Sequence, residues 1–184
     1  LSLIDELPPG RKPVKTLVRT EADRERVYDA LEQALRQGRQ AYIVVPLVEE
    51  TERSDLKAAK ELAEQLRRDR FPRWEIGLVH GRLKSEEKDR VMRAFAEGRL
   101  SLLVATTVIE VGVDVANASV MIVEHAERFG LSQLHQLRGR VGRGSTLSYC
   151  VLMAGGDSQG SVAGERLRVM ERTSDGFRIA QQDL

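Results

Sequence analysis

Three observations predict an α/β fold, a parallel sheet with helices on both faces in three α/β/α layers. Six short runs are apolar along nearly their whole length, as strands covered on both sides are. Amphipathic stretches separate them, each with apolar residues at helical spacing. The 184 residues, 41% hydrophobic and 31% charged, suffice for one globular domain with its own core.

The elements follow in order. Residues 1–13 carry Pro8-Pro9-Gly10 and Pro13 and read as an extended connector. Val14 to Arg19 (VKTLVR) is a short strand. Thr20 is placed to cap a helix over Glu21 to Gln37, with Val27, Ala30, Leu31, Ala34 and Leu35 on one face and Gly38 at its end. Ala41 to Val48 reads as a buried strand, Asp55 to Asp69 as a second amphipathic helix, and Trp74 to Val79 as a third strand. Ser85 is expected to cap a helix that Gly98 stops. Leu100 to Ala105, Ala118 to Val123 and Thr146 to Met153 complete the strands. A short turn of helix from about Val108 and a helix over Leu131 to Arg138 lie between them. The loop Gly155 to Ser161 and a last helix, Val162 to Arg172, place a C-terminal extension over 155–184, which leaves 14–154 as the domain proper.

Composition removes several classes of function. The single Cys150 excludes a disulfide framework, and three scattered histidines give no metal cluster. No apolar run approaches the roughly 18 residues that span a bilayer, and no signal-like segment opens the chain. A cytoplasmic protein is expected. The chain starts at Leu1, which suggests a piece of a longer one. Basic and acidic residues nearly cancel, 29 against 28, but only six of the 29 cations are Lys. Base composition or a hot habitat accounts for most of that bias; the rest matters only where arginines cluster.

In open parallel sheets ligands bind outside the carboxyl ends of the strands. Three segments follow strands there: His80 to Lys88 (HGRLKSEEK), Thr106 to Val115 (TTVIEVGVDV) and Gln133 to Gly144 (QLHQLRGRVGRG). All three are expected on one edge of the sheet. In the last, Arg138, Arg140 and Arg143 alternate with Gly139, Gly142 and Gly144. Glycine lets the backbone approach a ligand, and paired guanidinium groups clamp phosphate oxygens. A solvated basic turn or an Arg–carboxylate network is the alternative; three arginines at a sheet edge favour a polyphosphate. No GxxxxGK[ST] loop occurs, and Asp5-Glu6 runs into Pro8-Pro9 instead of ending an apolar strand. The chain can touch a triphosphate without cradling one alone.

These residues carry a resemblance. QLRGRVGR (136–143) matches the QxxGRxGR signature of motif VI in superfamily 2 helicases; Leu137 stands where the QRxGRxGR version has a second arginine. LLVATTVIEVGVDV (102–115) resembles motif V, LVHGRLKSEEKDRVMRAF (78–95) the motif IVa region and AYIVVPLVEE (41–50) motif IV, in the family's order. The lead-in IDELPPGRKPVKT (4–16) and ERFGLSQLHQLRGRVGR make the chain similar above all to RecG-type ATP-dependent DNA helicases. Transcription-repair coupling DNA translocases are the nearest alternative, separated by the Pro-Pro-Gly-Arg lead-in; a non-catalytic nucleic-acid-binding lobe is the other.

The resemblance implies a C-terminal RecA-like lobe. ATP with Mg²⁺ would be held mainly by an N-terminal lobe of the same polypeptide, and the substrate would be branched or duplex DNA. Arg140 and Arg143 would reach across the cleft to the nucleotide, Arg143 as the finger on the γ-phosphate. Gln136 would join the nucleotide site to the lobe interface, and Gly112 and Asp114 would meet the ribose. Thr106, Thr107 and the His80, Gly81, Arg82 loop would touch DNA phosphates without reading sequence. Thr107 to Glu110 is also a capping-box pattern, so Glu110 reads as a cap partner. The family picture implies a monomer, with no membrane involved.

Overall fold

The strands form because each carries β-branched and aliphatic residues that pack on two faces, and the structure pairs them accordingly. A computed structural model describes residues 14–46, 52–106, 115–142, 144, 147–155 and 162–172. The strands are β1 (Val14–Arg19), β2 (Gln40–Val45), β3 (Ile76–Val79), β4 (Leu102–Thr106), β5 (Ala118–Val123) and β6 (Ser148–Met153). They make one six-stranded sheet in the order β1-β6-β5-β2-β4-β3, and every pair is parallel. The helices are α1 (Arg24–Arg36), α2 (Glu52–Gln65), α3 (Ser85–Ala96), α4 (Leu131–Arg138) and α5 (Val162–Arg172). Among the described residues no helix is long and apolar enough to cross a membrane.

Alternation along the strands sorts side chains into two cores. Ala41, Ile43 and Val45 of β2 pack with Tyr28, Leu31 and Leu35 of α1 and with Ala63 of α2. Tyr42 and Val44, pointing the other way, join Phe95 of α3, Leu134 and Leu137 of α4, and Leu167 and Met170 of α5. The predicted three-layer architecture is therefore the one observed.

Local corrections have physical causes. The first helix opens as a 3₁₀ turn, Glu21–Asp23, because the Asp23 carboxylate accepts the Thr20 N–H at 3.2 Å and tightens the entry. The second helix begins by Glu52, and past Gln65 it widens into a π turn, Leu66–Arg70. That turn delivers Phe71, fully buried, against Tyr28 and Trp74. Trp74 is consequently packing material at the approach to β3 and not part of the strand. Lys84, in extended conformation, occupies the N-cap of α3, so the expected cap Ser85 is the first helical residue.

Both edge strands have an outward backbone group taken by a charged side chain. On β1 the Val18 N–H donates to the Glu171 carboxylate at 2.8 Å, and the Val18 carbonyl accepts from Arg19. On β3 the Ile76 carbonyl accepts from Arg67 Nε and Nη2 at 3.1 and 2.8 Å.

Candidate functional site

Parallel strands demand that each connecting helix run back against the sheet, and that return divides the expected site residues between two ends. His80 follows β3 and Thr106 ends β4, so both lie at the carboxyl edge. The Gly139–Gly142 turn follows α4, which carries the chain from the carboxyl end of β5 back to the amino end of β6. Gly144 confirms the placement: a Cβ built on it would stand 2.7 Å from the Ala116 carbonyl oxygen, just ahead of β5. The expectation of one shared edge is therefore corrected. Six-residue strands rise about 20 Å in total, so the two ends are separate surfaces. Thr106 and Val115, which bracket the motif V segment, lie one at each end.

At the carboxyl edge, His80 is 8% exposed and its Nδ1 accepts the Arg82 N–H at 3.2 Å. Burial, then the charges of Lys60 and Lys88, hold its pKa below the usual histidine value. A neutral imidazole therefore shapes the loop, while Gly81 and Arg82 are exposed at its surface. A side chain added at Gly81 would meet nothing within 4 Å. Thr106 is buried, and its hydroxyl has no hydrogen-bond partner among the described residues.

At the amino edge, Arg138 and Arg140 are placed differently. Arg138 is 3% exposed and bonds to Thr16 and Met170, which removes it from any phosphate clamp. Arg140 is half-buried in the turn closed by Arg140 N–H to the Leu137 carbonyl at 2.9 Å, and Val141 plugs the turn into the core. Gly142 has φ +77°, a left-handed conformation that disfavours other residues. Gln136 is exposed on α4. Arg143, Thr107, Glu110, Gly112 and Asp114 lie outside the described residues, as do residues 1–13. Among the described residues no group of three or more His, Cys, Asp or Glu converges on a metal position. A cavity of about 860 Å³ between α1 and the β1–β6–β5 face involves none of these residues.

The close approach of the Gly144 and Ala116 backbones sets the end of motif VI beside the exit of motif V, and the sequence pattern carries no signal for it. Gly144→Ala forces the two segments apart. Overpacking of this kind costs about 1–3 kcal/mol. A lowered thermal midpoint for Gly144→Ala, unrelieved by Ala116→Gly because the clash is with a carbonyl, is the expected result.

Residues 25–145 match the family described as helicase conserved C-terminal domain. The chain belongs to that helicase family. All 184 residues align at 55% identity with the ATP-dependent DNA helicase RecG of Synechocystis, covering 22% of that protein, and at 52% with the RecG of Thermotoga maritima, covering 23%. The Escherichia coli RecG matches at 52% over the same 184 residues, 26% of its length. The helicase lobe thus spans about a quarter of the curated relatives it matches. A solved structure of RecG bound to a three-way DNA junction superposes with a TM-score of 0.80 at 50% identity, over 97% of this chain and 23% of that one. Domain 2 of the DEAD-box helicase Mss116p, bound to an RNA duplex, shares the fold at a TM-score of 0.61 and 19% identity, over 78% of this chain and 55% of that one.

Proposed function

We propose that the helicase lobe is the second motor lobe of an ATP-dependent DNA helicase that remodels branched DNA, such as stalled forks and Holliday junctions, in recombination and repair. The observation that carries this reading is identity of 52–55% along the whole lobe to proteins named for that activity. The two-ended site supports a division of labour. The amino edge presents a cationic turn, with Arg140 and Arg143 facing ATP bound by the N-terminal lobe. A cationic turn fits phosphate oxygens and not a metal ion, so Mg²⁺ belongs with the partner lobe's ligands. At the carboxyl edge Gly81, Arg82 and Thr106 contact the DNA backbone.

When bound, ATP supplies a phosphoryl group whose developing charge needs permanent positive partners. Arg140 and Arg143 provide that charge, Gln136 holds the cleft wall, and Gly112 and Asp114 fix the ribose. Thr107 joins Thr106, His80, Gly81 and Arg82 in holding register on the strand. The protein works as a monomer in the bacterial cytosol.

The test compares the full-length protein with residues 1–184 alone. The full-length protein hydrolyses ATP in response to forked DNA and separates its strands; the lobe alone turns over no ATP. DNA binding by the lobe weakens as salt rises, since phosphate contacts release counterions. Robust hydrolysis by residues 1–184, or full-length activity indifferent to branches, overturns the reading.

A further inference from the structure

We propose that Arg138 is a positioning residue for ATP hydrolysis, which holds the Gly139–Gly142 turn and Arg140 in place against β1 and the end of α5. The inference rests on the reading above, in which that turn faces a nucleotide.

Arg138 is the last residue of α4, and the next residue opens the turn. Its side chain is directed inward, away from any phosphate. Nη1 donates to Thr16 Oγ1 of β1 at 3.1 Å and to the Met170 carbonyl of α5 at 3.2 Å. Thr16 is itself 4% exposed. Its partner across the β1–β6 pair is Cys150, fully buried, whose thiol burial pushes up to about 12 while the Arg138 charge pulls it down. The guanidinium charge is therefore felt inside the core.

A buried arginine needs a reason, and α5 supplies one. Met170 lies two residues from the end of α5. A cation beside the C-terminal turn of a helix opposes its dipole. One nitrogen, Nη1, holds both acceptors, and the planar guanidinium keeps its two N–H groups in a fixed orientation that a freely rotating ammonium lacks.

The consequence falls on Arg140. Three backbone hydrogen bonds close the turn directly onto the last turn of α4: Gly139 N–H to His135, Arg140 N–H to Leu137, and Val141 N–H to Arg138. A rotation of that last turn passes straight to Arg140. Arg138 fixes the rotation by tying α4 to the first strand and the last described helix at once.

The experiment uses the full-length protein and four variants, with ATPase kinetics and thermal midpoints measured for each. Arg138→Met keeps the volume and removes the donors; its kcat is expected to fall about 10-fold with KM for ATP within about 3-fold, the pattern of a lost transition-state alignment. Thr16→Val touches no nucleotide, is mild enough to fold, and is expected to lower kcat about 3-fold in the same manner. The double variant should be no slower than Arg138→Met, because both act on one strut. Arg138→Lys recovers part of the loss.

Unchanged kcat in Arg138→Met, whatever its thermal midpoint, overturns the proposal. So does a rise in KM with Thr16→Val silent, since Arg138 would then be a direct phosphate ligand. Arg140→Ala separates the two levels of inference. If it abolishes turnover while Arg138→Met does not slow it, only the positioning role fails. If Arg140→Ala leaves turnover intact, the nucleotide-facing reading of the turn fails.

Discussion

Replacing Arg143 by alanine in the full-length protein is expected to lower ATP turnover by about 10³-fold or more, the usual worth of an arginine finger. The expectation draws on what flanks the residue. Gly142 is buried with φ +77°, and Gly144 is pressed against the Ala116 carbonyl. Both neighbours of Arg143 are thus conformationally restricted. A finger acts on charge that develops during transfer, so under the proposed function kcat should fall far more than KM for ATP rises. Lysine should restore little, because a flexible point charge does not reproduce a planar fork. Steady-state ATPase kinetics at saturating forked DNA provide the check. Loss confined to Arg140→Ala would move the finger to that position.

The second large effect is on stability. Arg24→Ala is expected to cost about 3 kcal/mol, the lower end for breaking a buried pair from one side. Arg24 donates to Glu124 Oε2 at 2.8 Å and Oε1 at 2.7 Å, and its Nη1 also reaches the Tyr28 hydroxyl at 3.1 Å. The Glu124 side chain is 9% exposed, so removing Arg24 strands a carboxylate in a poorly hydrated position. Its backbone N–H donates to Val44, which fixes the carboxylate at the junction of β5 and β2 and prevents it from swinging out. Glu21 also pairs with Arg24, and that hydrogen bond holds its carboxyl below the ordinary range. Its contribution is present above the ordinary carboxylate pKa and fades as acid lowers the pH through the depressed value. Urea denaturation of Arg24→Ala, Glu124→Gln and the double variant measures the coupling. A double variant as unstable as the sum of the singles would show that the pair is not a unit.

The sequence made the strands readable because their apolar runs leave few alternatives; β1, β5, α4 and α5 keep the boundaries expected of them. What escaped was anything set by the path of the chain. QLRGRVGR looks like one clamp in linear order, yet α4 ends within it, at Arg138, whose side chain is buried while Arg140 stays in the turn. The direction of a helical side chain depends on where the helix docks, and docking is tertiary information. For the same reason linear order points the motif VI turn to the carboxyl edge, whereas the return of α4 along the sheet puts it at the amino edge. The Gly144–Ala116 approach and the Arg24–Glu124 pair, 100 residues apart, have no local pattern at all. Lys84 displaced Ser85 as the cap because the β3 loop enters α3 one residue sooner than the preference for serine suggests.

The capped sheet edges bear on how the lobe avoids sticking to other chains. Under the proposed function the lobe opens from its partner repeatedly, and bare strand edges invite pairing with other chains. Here Glu171 and Arg19 occupy the outward groups of Val18, and Arg67 occupies that of Ile76. Each blocker is charged, so an intruding strand would have to displace an ionic group as well as find a register. Removing the blockers should therefore surface first as clumping during expression or turnover, before any loss of the fold itself.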